Sequence, residues 1–374
     1  MHGAPASQAP RFIGSEIYRR SSYGGKHPLA IPRVSACIDL CRALGWLDGA
    51  IYVDSPMADR EALLAFHTPE YLAALVAAEA AQRVPPEHKA RFHIGINGNP
   101  AFPEIFRRPA TACGGTLKAV ELVAAGQGIV YHPAGGTHHG RPDRASGFCY
   151  LNDPVLGLKA LLAAGYERVL YLDLDAHHCD GVEDAFAGER RILMISIHEA
   201  GRWPNTGRLE ERAGGSARNL PVPAGLNDSE LDHLLEEAVL PLAARFRPQV
   251  AMVQGGADAL ADDPLSKLEL SNGALWRAVQ LAKELAPRLI VLGGGGYNPW
   301  AVARCWSGIW ATLNDLAIPE RLPPEAEGLL RSLHWHRSAG RNPPEHWFTT
   351  LGDAPRPGAI RPEIRAVAAA ALRA

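Results

Sequence analysis

The amino-acid sequence predicts an α/β protein with a doubly wound, mostly parallel sheet and helices on both faces. Short β-rich runs alternate with helical patterns through the middle and C-terminal parts of the chain, the order in which βαβ units are written. The β-rich runs are nearly continuously apolar rather than alternating, as strands covered on both faces are. Residues able to bind metals or move protons recur just past the ends of these runs, and open parallel sheets bind ligands beyond the carboxyl ends of their strands.

Taken in order, GIVYHP (128–133) is a β-branched and aromatic run leading into a Gly-rich loop that bears His138 and His139. NDPVLGLKALLAAG (152–165) spaces its apolar residues as a helix does. RVLYLDLD (168–175) ends in Asp173 and Asp175 with His177 just beyond, and RILMISIH (191–198) ends in His198. SELDHLLEEAVLPLAARF (229–246) returns to helical spacing, QVAMVQGG (249–256) is the strand before Asp258, and NGALWRAVQLAKELA (272–286) is the helix after it. RLIVLGGGG (288–296) precedes Tyr297, and PWAVARCWSGIWATL (299–313) is a further helical pattern. One rim of one sheet therefore collects every candidate.

With 374 residues and 47% hydrophobic content the chain can bury a large core, and α/β folds of this size often form one domain. One catalytic domain over 1–374 is expected, with residues 338–374, including the Pro-rich RNPPEHWFTTLGDAPRPG, as a C-terminal extension or tail around it. A net charge of −2 and a pI near 6.7 give no nucleic-acid footprint. No stretch reaches the apolar length of a membrane span. The opening MHGAPASQAPRF lacks the basic and apolar regions of a secretory signal, and the six cysteines (37, 41, 113, 149, 179 and 305) keep no disulfide rhythm, so a cytoplasmic location is expected. Cys37 and Cys41 lie in the apolar pattern ACIDLCRALGWL and read as small core residues. The oligomeric state is not legible.

The densest chemistry is YLDLDAHHCDGVEDAF (171–186), which puts Asp173, Asp175, His177, His178 and Asp180 within eight residues. Carboxylate and imidazole suit zinc and other borderline divalent ions, and a D-x-H pair at a strand end can turn both side chains toward one ion. The plain alternative is a solvated turn or a helix cap. Asp175, His177 and Asp258 would supply three ligands and leave a position open for water and substrate, as a catalytic site requires and a closed structural one does not. Tyr297 follows four glycines, which let the backbone pass close to such a site.

PAGGTHHGRPDRASGFCYLND (133–153), the Asp173–Asp180 run, VQGGADALADDP (253–264) and LGGGGYNPWAVARCW (292–306) together resemble the zinc-dependent histone deacetylase family. The form is that shared by class I enzymes and bacterial acetoin-utilization and deacetylase-like proteins. The likeness runs from HPLAIPRV near residue 27 to the helix after Tyr297. It implies an arginase/deacetylase-like fold, one Zn2+ per chain on Asp175, His177 and Asp258, and hydrolysis of an acyl-lysine protein, a peptide or a small acylated amine. By resemblance His138 and His139 pair with Asp173 and Asp180 respectively, with His139 as general base and His138 stabilising charge. Tyr297 would donate to the oxyanion. K+ would sit near Asp173, Ser196 and Ile197 and the carbonyls of Asp175 and His177. Gly147, Phe148 and Trp203 match the wall of the acyl-lysine tunnel, and Arg33 matches an arginine that handles released acetate. Leu265 stands where acetylpolyamine-selective relatives carry a Glu, which argues against polyamines.

The chain departs from the family in three places. INGNPAFP (96–103) puts Gly98 or Asn99 where many relatives have an Asp that grips the peptide backbone; Trp203 is bulkier than the usual Phe; and Cys179 replaces a Gly. Two rival readings fit less well. A binuclear manganese ureohydrolase needs a carboxylate at 179 and a second D-x-D, but Gly256 and Leu260 flank Asp258. A non-catalytic acyl-lysine binder would not need the full set of ligands, His-Asp pairs and Tyr297. Deacetylation of a small acylated amine such as a polyamine is the remaining enzymatic alternative.

Overall fold

In the computed structural model residues 9–373 are described; residues 1–8, part of the stretch read for a signal, lie outside the described residues, as does Ala374. Eight strands form one sheet: β1 (Arg11–Gly14), β2 (Tyr52–Asp54), β3 (Ile129–His132), β4 (Val169–Asp173), β5 (Ile192–Glu199), β6 (Ala217–Val222), β7 (Val250–Gln254) and β8 (Leu289–Leu292). Their order is β2-β1-β3-β8-β7-β4-β5-β6, and every pairing is parallel. The sheet is the doubly wound one expected.

Its strands are apolar on both faces because both are covered. On β4, Leu170 and Leu172 join one core with Ile195, Val253 and Val291, while Val169 and Tyr171 join the opposite core with Met194, Met252 and Ile290. Side chains two apart share a face, so the unbroken apolar run is two half-runs, one for each helical layer. The helix Pro299–Leu313 seals the first layer with Trp306 and Trp310, both fully buried. Cys37 and Cys41 are buried in that same core.

Strands β1, β2 and β6 were not read from the sequence. β1 and β2 are too short to show a period, and β6 (ARNLPV) carries Arg218, Asn219 and Pro221. It is an edge strand, where a proline takes no bond from a neighbour. The helix Pro362–Ala371 packs on β6 and buries Ile364 and Ala371. Trp347 stacks on Trp300 at 5.3 Å, and the Asp353 carboxylate meets the fully buried Arg304 guanidinium at 2.7 Å. The stretch from 338 onward, expected as an extension or tail, is thus packed onto the sheet and its helices.

Candidate active site and metal centre

Loops leaving the carboxyl ends of β3, β4, β5, β7 and β8 converge on a cavity of about 1030 Å³. Its lining includes His139, Gly147, Phe148, His177, Asp180, Trp203, Leu265 and Tyr297.

At its floor Asp175, His177 and Asp258 offer ligand atoms that all lie within 4.8 Å of one another. His177 Nδ1 sits 3.1 Å from Asp175 Oδ1 and 2.9 Å from Asp258 Oδ2. Both carboxylates are buried, at 1% and 0% exposure, so their charges need a positive partner close by. Burial opposes protonation of His177, but the two carboxylates outweigh it and raise its pKa to about 10. A divalent cation would supply the same charge and take Nδ1 as a ligand; two carboxylate oxygens and one imidazole converging on a point fit a zinc-class ion. Among the described residues no second such cluster occurs.

The backbone holds this triad. Gly295 N–H donates to Asp175 Oδ2 at 2.6 Å, Ala176 N–H to Asp258 Oδ1 at 3.1 Å and His177 N–H to Asp175 Oδ1 at 3.0 Å. A Cβ on Gly295 would run into Asp258 Oδ2. The glycine run therefore serves a close approach to the carboxylates as well as leaving room for Tyr297.

Beside the triad stand two His–Asp pairs. His138 Nδ1 is 2.8 Å from Asp173 Oδ2, and His139 Nδ1 is 2.7 Å from Asp180 Oδ1. The two Nε2 atoms face each other at 2.9 Å, a distance at which one ring holds the proton and the other accepts it. Burial works against a charge on either ring. The carboxylates of Asp173 and Asp175 overcome it at His138, whose pKa rises to about 9. At His139 burial and then the charge on His138 prevail, and its pKa falls to about 3. Positive charge is thus favoured on His138 and disfavoured on His139. Arg141 closes the second pair by binding the other oxygen of Asp180.

Tyr297 lines the cavity, and its hydroxyl has no hydrogen-bond partner among the described residues. Burial, then the charges of Asp258 and Asp175, hold it protonated far above its usual range. Its backbone N–H donates to Asp263 Oδ2 at 2.6 Å, while Asp263 Oδ1 accepts from Leu265 N–H at 2.9 Å. Asp263 was not singled out in the sequence, yet this one carboxylate spans Tyr297 and the Leu265 wall. Burial and the Asp258 charge raise its pKa to about 8.

The tunnel walls are aromatic. Phe148 meets the Tyr297 ring edge-on at 5.9 Å, and Trp203 meets His139 at 4.6 Å. Gly147, at φ +53°, lies where a Cβ would strike the Trp203 ring and come within 2.6 Å of His139 Cδ2. Gly147→Ala should therefore crowd the passage, and a shift of about 1 Å at the reacting centre costs on the order of 10²-fold; steady-state kcat/KM measured beside a melting curve will separate this from unfolding.

The remaining candidates are placed as follows. Arg33 Nη1 donates to Gly294 O at 2.6 Å, and its guanidinium lies over Trp306. Asp173 and Ser196 are register partners across β4 and β5. Ser196 Oγ is 2.9 Å from His198 Nδ1, and Ile197 is buried beside it. His198 and His178 stand away from the cavity lining and bond Gly207 and Thr206, which fixes the loop after Trp203. Cys179 is buried in the helical core. At the rim, Asn99 is 1% exposed and its Oδ1 accepts from Phe148 N–H at 2.9 Å, so it braces the tunnel wall. Gly98 has φ +77° and a Cβ there would lie 2.8 Å from Phe148 Cε1, leaving no place for an Asp.

A family model described as the histone deacetylase domain matches residues 27–313. The acetoin utilization protein AcuC of Bacillus subtilis (strain 168) is 34% identical over 329 residues, 84% of this chain and 84% of its own length. Histone deacetylase 8 of Xenopus tropicalis is 32% identical over 302 residues, 78% of this chain and 81% of its own. Among solved structures, an HDAC homologue complexed with SAHA superposes with a TM-score of 0.93 at 36% identity, covering 97% of this chain and 100% of that one. An HDAC homologue from Aquifex aeolicus gives 0.92 at 36% identity with the same coverage.

Proposed function

The chain belongs to the histone deacetylase family, and on that premise we propose that it is a zinc-dependent amidohydrolase that removes an acyl group from a lysine side chain or a related small amine. The observation that carries the reading is the buried Asp175–His177–Asp258 triad with two His–Asp pairs beside it and a Tyr297 hydroxyl that has no hydrogen-bond partner among the described residues.

A zinc ion held by Asp175, His177 and Asp258 supplies Lewis-acid polarisation of the amide carbonyl and a lowered pKa for water. The protein's groups do the rest. The acyl-amine chain threads between Phe148 and Trp203, and the Gly147 carbonyl accepts the amide N–H. His139 takes a proton from the attacking water as the C–O bond forms; Tyr297 donates to the developing oxyanion, a charge absent from the ground state. His139 then passes the proton to the departing nitrogen as the C–N bond breaks. The Asp180 and Asp173 carboxylates fix the tautomers of the two rings. Arg33, beneath Gly294, is suited to the acyl carboxylate that leaves. K+ near Asp173, Ser196 and Ile197 belongs to the same reading, as does a cytoplasmic location, where cysteines that are all buried and unpaired stay reduced.

The test is turnover of a fluorogenic acetyl-lysine peptide and of Nε-acetyl-lysine. We expect activity that a chelator abolishes and added zinc restores. Zinc-loaded protein that binds these compounds but hydrolyses none of them would establish the non-catalytic binder instead.

A further inference from the structure

The mouth of the cavity carries charge that the reaction does not use. Four cationic side chains, Arg141, Arg144, Arg202 and Lys267, line it against two carboxylates, Asp180 and Glu199. Both carboxylates are engaged. Asp180 holds His139 and Arg141. Glu199 receives the Arg202 guanidinium through both its oxygens and accepts from Lys267 N–H at 2.8 Å. Arg144 has only the exposed neighbour Asp143, and the Lys267 ammonium has no carboxylate partner among the described residues.

Lys267 also stands on a fixed root. Its backbone is tied to Glu199, and the preceding Ser266 hydroxyl donates to the carbonyl of the ligand Asp258. Arg202 Nη1 donates to Leu265 O at 2.9 Å, so the loop 265–267 is braced from β5 on one side and from the metal centre on the other. An exposed lysine on such a loop stands over the same passage that Leu265 lines. Leu265, Lys267 and Arg144 line one cavity, and among the described residues the only carboxylate paired with either cation is the exposed Asp143 at Arg144.

We propose that the mouth selects an acylated amine whose far end bears a carboxylate, recognised by Lys267 with help from Arg144. The proposal rests on the deacylase reading above and narrows its substrate class. A distant ammonium is disfavoured there by the same charges, and a small amino-acid-like acid is the source favoured by a rim with Gly98 and Asn99 in place of an Asp.

Three probes of one chain length separate charge from shape: 6-acetamidohexanoate, its neutral primary amide, and N-acetylcadaverine. We expect kcat/KM in the order anion, amide, cation, each step roughly fivefold, the factor that about 1 kcal/mol of exposed ion pairing gives. The preference should shrink in Lys267→Met, fall to parity when Arg144→Met is added, and fade in 0.5 M salt, while kcat for the neutral amide and the metal content stay unchanged. Equal values for anion and amide in the unmodified protein, or a preference undiminished in Lys267→Met, would overturn the assignment. A preference seen only between Glu-flanked and Lys-flanked acetyl-lysine peptides would overturn the small-molecule source. Calorimetric binding of the same probes to zinc-loaded Tyr297→Phe gives the ordering without turnover, so a failed mouth and a failed deacylase reading remain distinguishable.

Discussion

Asp258→Ala is expected to give folded protein that retains less than one ion per chain after dialysis and has no measurable deacylation; Asp175→Ala and His177→Ala should do the same. Removing one of three ligands leaves two donors, too few to hold a divalent ion in competition with water. The fold should survive, because the change takes away one of two crowded, buried carboxylates rather than a packing group, and burial together with the Asp175 charge already pushes the Asp258 pKa up. Metal analysis beside a thermal melt reads both halves of the expectation. Two tightly held ions per chain in the unmodified protein would instead sink the mononuclear site and revive a ureohydrolase-like centre.

Tyr297→Phe is expected to keep the metal and nearly unchanged KM while kcat falls by roughly 10²- to 10³-fold, the usual effect of removing one oxyanion donor. The ring should stay in place. Its backbone N–H is held by Asp263 and its edge by Phe148, and neither contact uses the hydroxyl. Because that hydroxyl has no hydrogen-bond partner among the described residues, its loss leaves no protein group unsatisfied, so a fall in kcat reports the reaction rather than a disturbed site. An unchanged kcat would mean that another group meets the oxyanion.

The sheet was legible where its strands are long and buried. β3, β4, β5, β7 and β8 read as apolar runs because both faces are covered, and the chemistry-bearing side chains follow their ends. β1 and β2 were not legible, since RFIG and YVD each hold only two apolar residues; nor was β6, whose polar residues suit an edge. Within the site, residue types with obvious chemistry stood out and their supports did not. Asp263 looked like one acid in a loop, though it bridges Tyr297 and Leu265 across more than thirty positions of sequence. Its signal was a carboxylate before Pro264 and shortly after Asp258, too weak to act on alone. Gln254 ends β7 in plain view, but nothing in an amide's identity announces that its carboxamide will lie 2.9 Å from His138 Nδ1. Asn99 was read as a weakened clamp at the rim; its carboxamide in fact faces Phe148 N–H, a local turn geometry that residue type does not encode.

The strand order also dictates when the site can exist during synthesis. β8, residues 289–292, lies between β3 and β7. Until it has been made, β2-β1-β3 and β7-β4-β5-β6 have no strand to join them, and the β3 and β7 edges lack the partner that β8 provides. His138 and His139 follow β3 in one half; the triad follows β4 and β7 in the other. Four residues made late thus join the two histidines to the Asp175–His177–Asp258 cluster, and a nascent chain stalled before them holds all five side chains without the strand that links them. Open strand edges attract other chains, and pairings this distant in sequence form slowly, so the interval before β8 appears is when this polypeptide most needs a chaperone's cover.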